Sequence, residues 1–190
     1  DALDESQIIS DGFAPNPGQG LGGFIKIVTK SGGNSLHGEL GSLVRSPDLR
    51  ASRQDQLSVA SIPETSLMHF LGNLGGPILT DRLWFFLSNN YYGTRDVTSE
   101  QSIGWLKIPA GNRQIGANNA FGKLTFTPHK NHTVSLSGTL DKSLNQRGGI
   151  GVPETYVKAD YTDYFFRLNY RGILSQNTLL TGAVGLNQRK

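Results

Sequence analysis

The sequence predicts an all-β fold: about seven antiparallel strands forming part of a transmembrane barrel, preceded by a short loop-and-strand unit. Three observations carry this. The 190 residues include 24 glycines and one methionine, with 36% hydrophobic and 17% charged residues, a balance that fits turn-rich β structure better than a helical bundle. Several segments keep their apolar residues on one parity, as a strand does when one face is apolar and the other polar. The connections between those segments alternate between long and short.

Residues 1–34 are rich in turn formers, with Pro15, Asn16 and Pro17 followed by closely spaced glycines, and only Phe24 to Lys30 reads as a strand. The strands proper are expected near 35–45, 66–75, 82–93, 118–127, 132–142, 162–174 and 178–188. In the first, Leu36, Leu40 and Val44 oppose His37, Glu39 and Arg45. The second and third flank "GGPILTDR", read as a turn. The fourth sets Leu124 and Phe126 against Lys123, Thr125 and Thr127, and after "TPHKNH" the fifth sets Val134, Leu136 and Leu140 against serines, threonines and Asp141. Pro128, which cannot donate to a ladder, and Asn131 mark that reversal. In the sixth, Tyr164, Phe166, Leu168 and Tyr170 oppose Asp163, Arg167, Asn169 and Arg171, and a short "SQN" reversal leads to the seventh.

Short turns near Gly76–Arg82, Pro128–Asn131 and Ser175–Asn177 alternate with long connections over Ser46–Ser66, Gly93–Asn118 and Lys142–Tyr161. Outer-membrane barrels are built this way, with short periplasmic turns and long external loops. At ~3.3 Å per residue and ~45° tilt, Leu83–Tyr92 rises ~23 Å, close to the ~25 Å apolar band of such barrels. Trp84, Tyr91 and Tyr92 would then lie near the two membrane interfaces, where a ring with a polar tip is favoured. A soluble antiparallel sheet packed on a second sheet shares the strand pattern but has no reason for the loop alternation. No stretch approaches the ~18 consecutive apolar residues of a membrane helix. The acidic start at Asp1, Asp4 and Glu5 does not read as a secretory signal, so the chain is expected to begin at a processed or truncated end.

The run "GQGLGGFIKIVTKSGGNSLHGEL", followed by "NLGGPILTDRLWFFLSNNY", resembles the plug-to-barrel junction of TonB-dependent outer-membrane receptors. The likeness is greatest to those that often carry a carboxypeptidase-regulatory-like N-terminal domain. The resemblance implies that residues 1–34 are the C-terminal end of a plug and 35–190 the first part of the barrel. Gly22–Lys30 would be the last plug strand, Ser31–Asn34 a linker and Leu36-His37-Gly38 the opening of the first barrel strand. It implies a fragment of a larger molecule in the bacterial outer membrane, contacting lipid, taking up an unidentified ligand through its long loops, and energised through TonB by a part of the chain not present here. A self-contained eight-strand barrel, counting Phe24–Lys30 as a wall strand, is the alternative. That segment is short of the ~9–11 residues a spanning strand requires.

Chemistry-bearing motifs are sparse. Gly18-Gln19-Gly20-Leu21-Gly22-Gly23 has the dinucleotide spacing, but prolines precede it and a β-branched strand follows, so Asn16, Pro17, Gly18 and Gln19 are read as a plug loop. His129 and His132 share a turn without a third ligand, so no metal is expected. His37 and His69 are isolated residues on a lumen or interface face. Asp141, Asp160 and Asp163 lack the partners of an acid–base site, so no catalysis and no cofactor are expected. There is no cysteine, and the net charge of +3 is scattered without a basic stripe, which argues against nucleic-acid binding. Arg45, Lys123, Asp163, Arg167 and Arg171 share the polar parity of their strands and are the candidate lumen or plug contacts, with Arg167 and Arg171 expected to meet plug carboxylates.

Overall fold

The computed structural model describes residues 2–9, 24–49, 64–98, 100–103, 105–108, 110–147 and 157–190. The expected plug loop at Asn16, Pro17, Gly18 and Gln19 lies outside them. The strands are β1 (Leu3–Ile9), β2 (Phe24–Thr29), β3 (His37–Arg45), β4 (Glu64–Leu79), β5 (Leu83–Thr98), β6 (Gln101–Ile103), β7 (Leu106–Ile108), β8 (Gly111–His129), β9 (His132–Arg147), β10 (Val157–Ser175) and β11 (Thr178–Arg189), with one 3-10 turn at Pro47–Leu49.

Seven strands form one antiparallel sheet in the order β11-β10-β9-β8-β5-β4-β3, open at its two edges. Because neighbours in space are neighbours in sequence, apart from the β6–β7 ribbon, the sheet is a meander. β1 and β2 form a separate antiparallel pair and do not join it. Among the described residues no helix is long and apolar enough to cross a membrane, which leaves crossing by strands untouched.

The three anticipated hairpins are present, but the ends of their strands differ. β5 continues past Gly93 to Thr98 and β8 begins at Gly111, because the pairing runs on through Arg95↔Gln114, Asp96↔Arg113 and Val97↔Asn112. Backbone hydrogen bonds need no apolar side chains, so a ladder leaving an apolar band continues with polar residues and the alternation signal fades. The long connections shorten accordingly. Among the described residues, the β5–β8 connection holds the β6–β7 ribbon, with Trp105 exposed at its tip.

"GGP" is strand rather than turn. Gly75 pairs with Phe86, Gly76 with Phe85 and Pro77 with Trp84, a bulge follows between Pro77 and Leu79, and the reversal is confined to Thr80–Arg82. There Asp81 takes φ 64°, a left-handed conformation that Asp tolerates better than most residues, and Arg82 N–H donates to Leu79 C=O at 3.1 Å. Pro77, with no N–H to give, falls beyond the His37↔Gly75 pair, where β3 no longer lines that side of β4.

Register and pleat divide the side chains between two faces. One face carries Leu74, Leu87, Gly122, Gly138, Phe166 and Leu186 in one cross-strand row, and Phe85, Leu124, Leu136, Leu168 and Val184 in the next. Most of these apolar groups are exposed, Val184 at 68% and Leu186 at 71%, and among the described residues no second sheet covers them. That is the opposite of a soluble sandwich, where this face would be the core. Among the described residues only Phe86 is a buried hydrophobic, at 0% exposure, and it lies on the other, mostly polar face.

Candidate functional site

The polar face carries the predicted contact residues, on β3, β8 and β10. His37, Gly75, Phe86, Lys123, Ser137, Arg167 and Gly185 form one cross-strand row. Arg45, Asp163 and Arg171 share that face by strand parity. Against it lies the end of β2. The Lys123 ammonium donates to the Thr29 carbonyl and to Thr29 Oγ1, each at 3.1 Å. A partly open cleft of about 560 Å³ separates the β1–β2 pair from the sheet, lined by Val28 and Thr29 on one side and by Ser88, Asn119, Thr139 and Arg167, among others, on the other.

Among the described residues, the other candidates have neighbours within the sheet itself. Arg167 Nε donates to Asn169 Oδ1 at 2.8 Å, a neighbour on its own strand face. Asp163 accepts from Arg189 Nε at 2.7 Å and Nη2 at 2.9 Å, across a registered pair that the sequence reading did not select. Arg189 also lies 5.4 Å from the Tyr161 ring centroid. Arg45 ends β3 opposite Leu67, and Arg171 stands opposite Thr133 and Thr181.

The aromatic belt expected from Trp84, Tyr91 and Tyr92 is split by the pleat, since adjacent residues cannot share a face. Tyr91 lies on the apolar face beside Phe70, ring centroids 6.4 Å apart. Tyr92 lies on the polar face, edge-on to His69 at 6.1 Å. Trp84 is also on the polar side, where its indole N–H donates to Asn34 Oδ1 at 2.7 Å. His132 and Tyr170, on the apolar face near the short turns, stack at 6.1 Å and share a 2.8 Å hydrogen bond. That pair has the amphipathic character expected of an interface position.

Asn34 is the residue that sequence reasoning passed over. Its Oδ1 accepts from Trp84 and from the Asp81 backbone N–H at 3.0 Å, while its Nδ2 donates to the Asp81 carboxylate. One side chain thus ties the segment between β2 and β3 to the β4–β5 turn. The glycines around it explain "SGGN" and "GGP" together. A Cβ on Gly32 would lie 2.2 Å from Phe85 O and 2.9 Å from Gly76 O, so only glycine lets the linker backbone lie on the sheet backbone. A Cβ on Gly75 would crowd Phe86 at 3.0 Å and His37 at 3.1 Å. Phe86 is buried there, with its ring 6.2 Å from that of Phe121. Nearby, Asn73 donates to Glu39 Oε2 at 3.1 Å beside Lys30 and His37.

Among the described residues no group of three or more His, Cys, Asp or Glu could hold a metal. What the arrangement can do is mechanical. It seats a small β unit against one face of the seven-stranded sheet and holds the connecting segment down.

Comparison with known proteins points the same way. A family described as "Outer membrane beta barrel domain" matches residues 28–149. The chain is 29% identical over 183 residues to the "TonB-dependent transporter Oar" of Myxococcus xanthus, an alignment covering 78% of this chain and 16% of that protein. The chain therefore corresponds to a minor part of that relative's length. No solved structure matches.

Proposed function

Since the chain belongs to the family of outer-membrane β-barrel domains, we propose that it is the junction of a TonB-dependent transporter, comprising the end of the plug (residues 1–34) and the first seven strands of the wall. The polar face lines the lumen, the apolar face meets lipid, and the connections after β3, β5 and β9 lie outside, where they take part in capturing a ligand. The barrel is closed by further strands of the same protein pairing with the open edges at β3 and β11. Energy reaches the plug through TonB. The likeness to the Myxococcus xanthus transporter supports this reading.

The observation that carries it is the Lys123–Thr29 contact, a lumen-parity wall residue holding a strand that belongs to a different sheet. An eight-strand barrel with Phe24–Lys30 in its wall requires β2 to pair with β3 or β11, and β2 pairs with β1 instead. The test uses the full-length protein in planar bilayers. Deleting the plug through Asn34 is expected to turn a closed protein into a permanently conducting KCl channel. A deletion variant that folds in the membrane and stays closed would refute the plug reading.

A further inference from the structure

Two attachments of the β1–β2 unit among the described residues differ in kind. At Gly32–Asn34 the backbone lies directly on Gly76 and Phe85, and the Asn34 side chain is held at three points to Asp81 and Trp84. Five residues earlier, Thr29 is reached by the tip of a long, flexible lysine. Among the described residues β1 and β2 pack closely on each other and stand off the wall strands, with the cleft between. Lys30 N–H donates to Ala2 C=O at 2.9 Å, so Lys30 moves with the β1–β2 pair. At Gly33 a Cβ would meet nothing within 4 Å.

We propose that Lys123 is a releasable latch on the last plug strand and that Gly32–Asn34 is a fixed anchor, so that the β1–β2 unit swings off the wall about residues 30–31 while the linker stays docked. This rests on the plug reading above and names the residues that divide moving from static chain. Lys123 acts as a positioning residue. A methionine there keeps most of the length and loses the donor, whereas an arginine keeps a donor within reach of Thr29 O.

The experiment places nitroxide labels in the full-length protein in nanodiscs, its other cysteines replaced. One pair joins Lys30→Cys to Gln176→Cys in the exposed β10–β11 turn, and the other joins Gly33→Cys to Gln176→Cys. Pulsed dipolar distances are followed through urea concentrations at which the barrel stays folded. The 30/176 distance is expected to broaden first and the 33/176 distance to stay narrow until the barrel melts. Lys123→Met is expected to lower the urea midpoint of the first transition by about 1 M without moving the second, and Lys123→Arg to restore it. Distances that broaden together, or a Lys123→Met variant that shifts neither, would overturn the proposal. A deletion through Asn34 that opens no channel removes the plug reading, and the latch with it, whatever the distances do.

Discussion

Replacing Asn34 with alanine removes three hydrogen bonds at once: from Trp84 Nε1 at 2.7 Å, from Asp81 N–H at 3.0 Å, and to the Asp81 carboxylate. A typical net hydrogen bond contributes ~0.5–1.5 kcal/mol, more where one partner is charged. The cluster is solvent-accessible and water replaces part of what is lost, so about 2 kcal/mol is the expected total. The loss falls on local opening of the β4–β5 turn rather than on the whole sheet, because the strands keep their ladders. At ~1.4 kcal/mol per factor of ten, the Asp81 amide should exchange with deuterium ~30-fold faster in Asn34→Ala, read by mass spectrometry on peptides spanning 79–86. Asn34→Asp keeps both acceptor contacts but sets a carboxylate against Asp81, and should fall between the two. Unchanged exchange at Asp81 in Asn34→Ala, with the protein folded, would mean that the side chain does not hold the turn.

Three further outcomes follow from the same geometry. Leu124→Arg, on the apolar face, should destabilise the membrane-inserted protein by about 2–4 kcal/mol in urea titrations in liposomes, whereas Ser137→Arg one strand away on the polar face should cost under ~1 kcal/mol; equal costs would remove the assignment of faces. Gly32→Ala forces a Cβ into Phe85 O and should cost ~1–3 kcal/mol by linker displacement, seen as proteolytic cutting near residues 30–34 that the parent resists. Arg189→Ala breaks an exposed pair with Asp163 and should leave the urea midpoint close to the parent's, with any difference shrinking further in 1 M salt.

Much of this fold is legible along the chain because a strand's two faces are written in its own parity. Leu124, Leu136, Phe166 and Val184 share one side in the sequence and share it in the sheet. Lys123, Asp163, Arg167 and Arg171 are likewise placed together on the other. The same rule parts Tyr91 from Tyr92 and sends Trp84 and Phe86 to the polar side, which the unbroken apolar run Leu83–Leu87 conceals along the sequence. Strand ends were less legible, since Arg95, Asp96, Asn112 and Arg113 pair as well as any residues but advertise nothing.

By itself, then, the sequence determined the strand period, the succession of tight and long connections, and the Gly-rich segment ahead of the first strand of the large sheet. Only the tertiary structure decided what that segment touches. Asn34 meets Asp81 at a separation of 47 positions and Lys123 meets Thr29 at 94, and no local pattern encodes such a meeting. Alternation is enforced by the covalent pleat within a few residues, whereas these contacts arise when hydrogen bonding aligns separate strands and brings glycine backbones close enough to lie on one another.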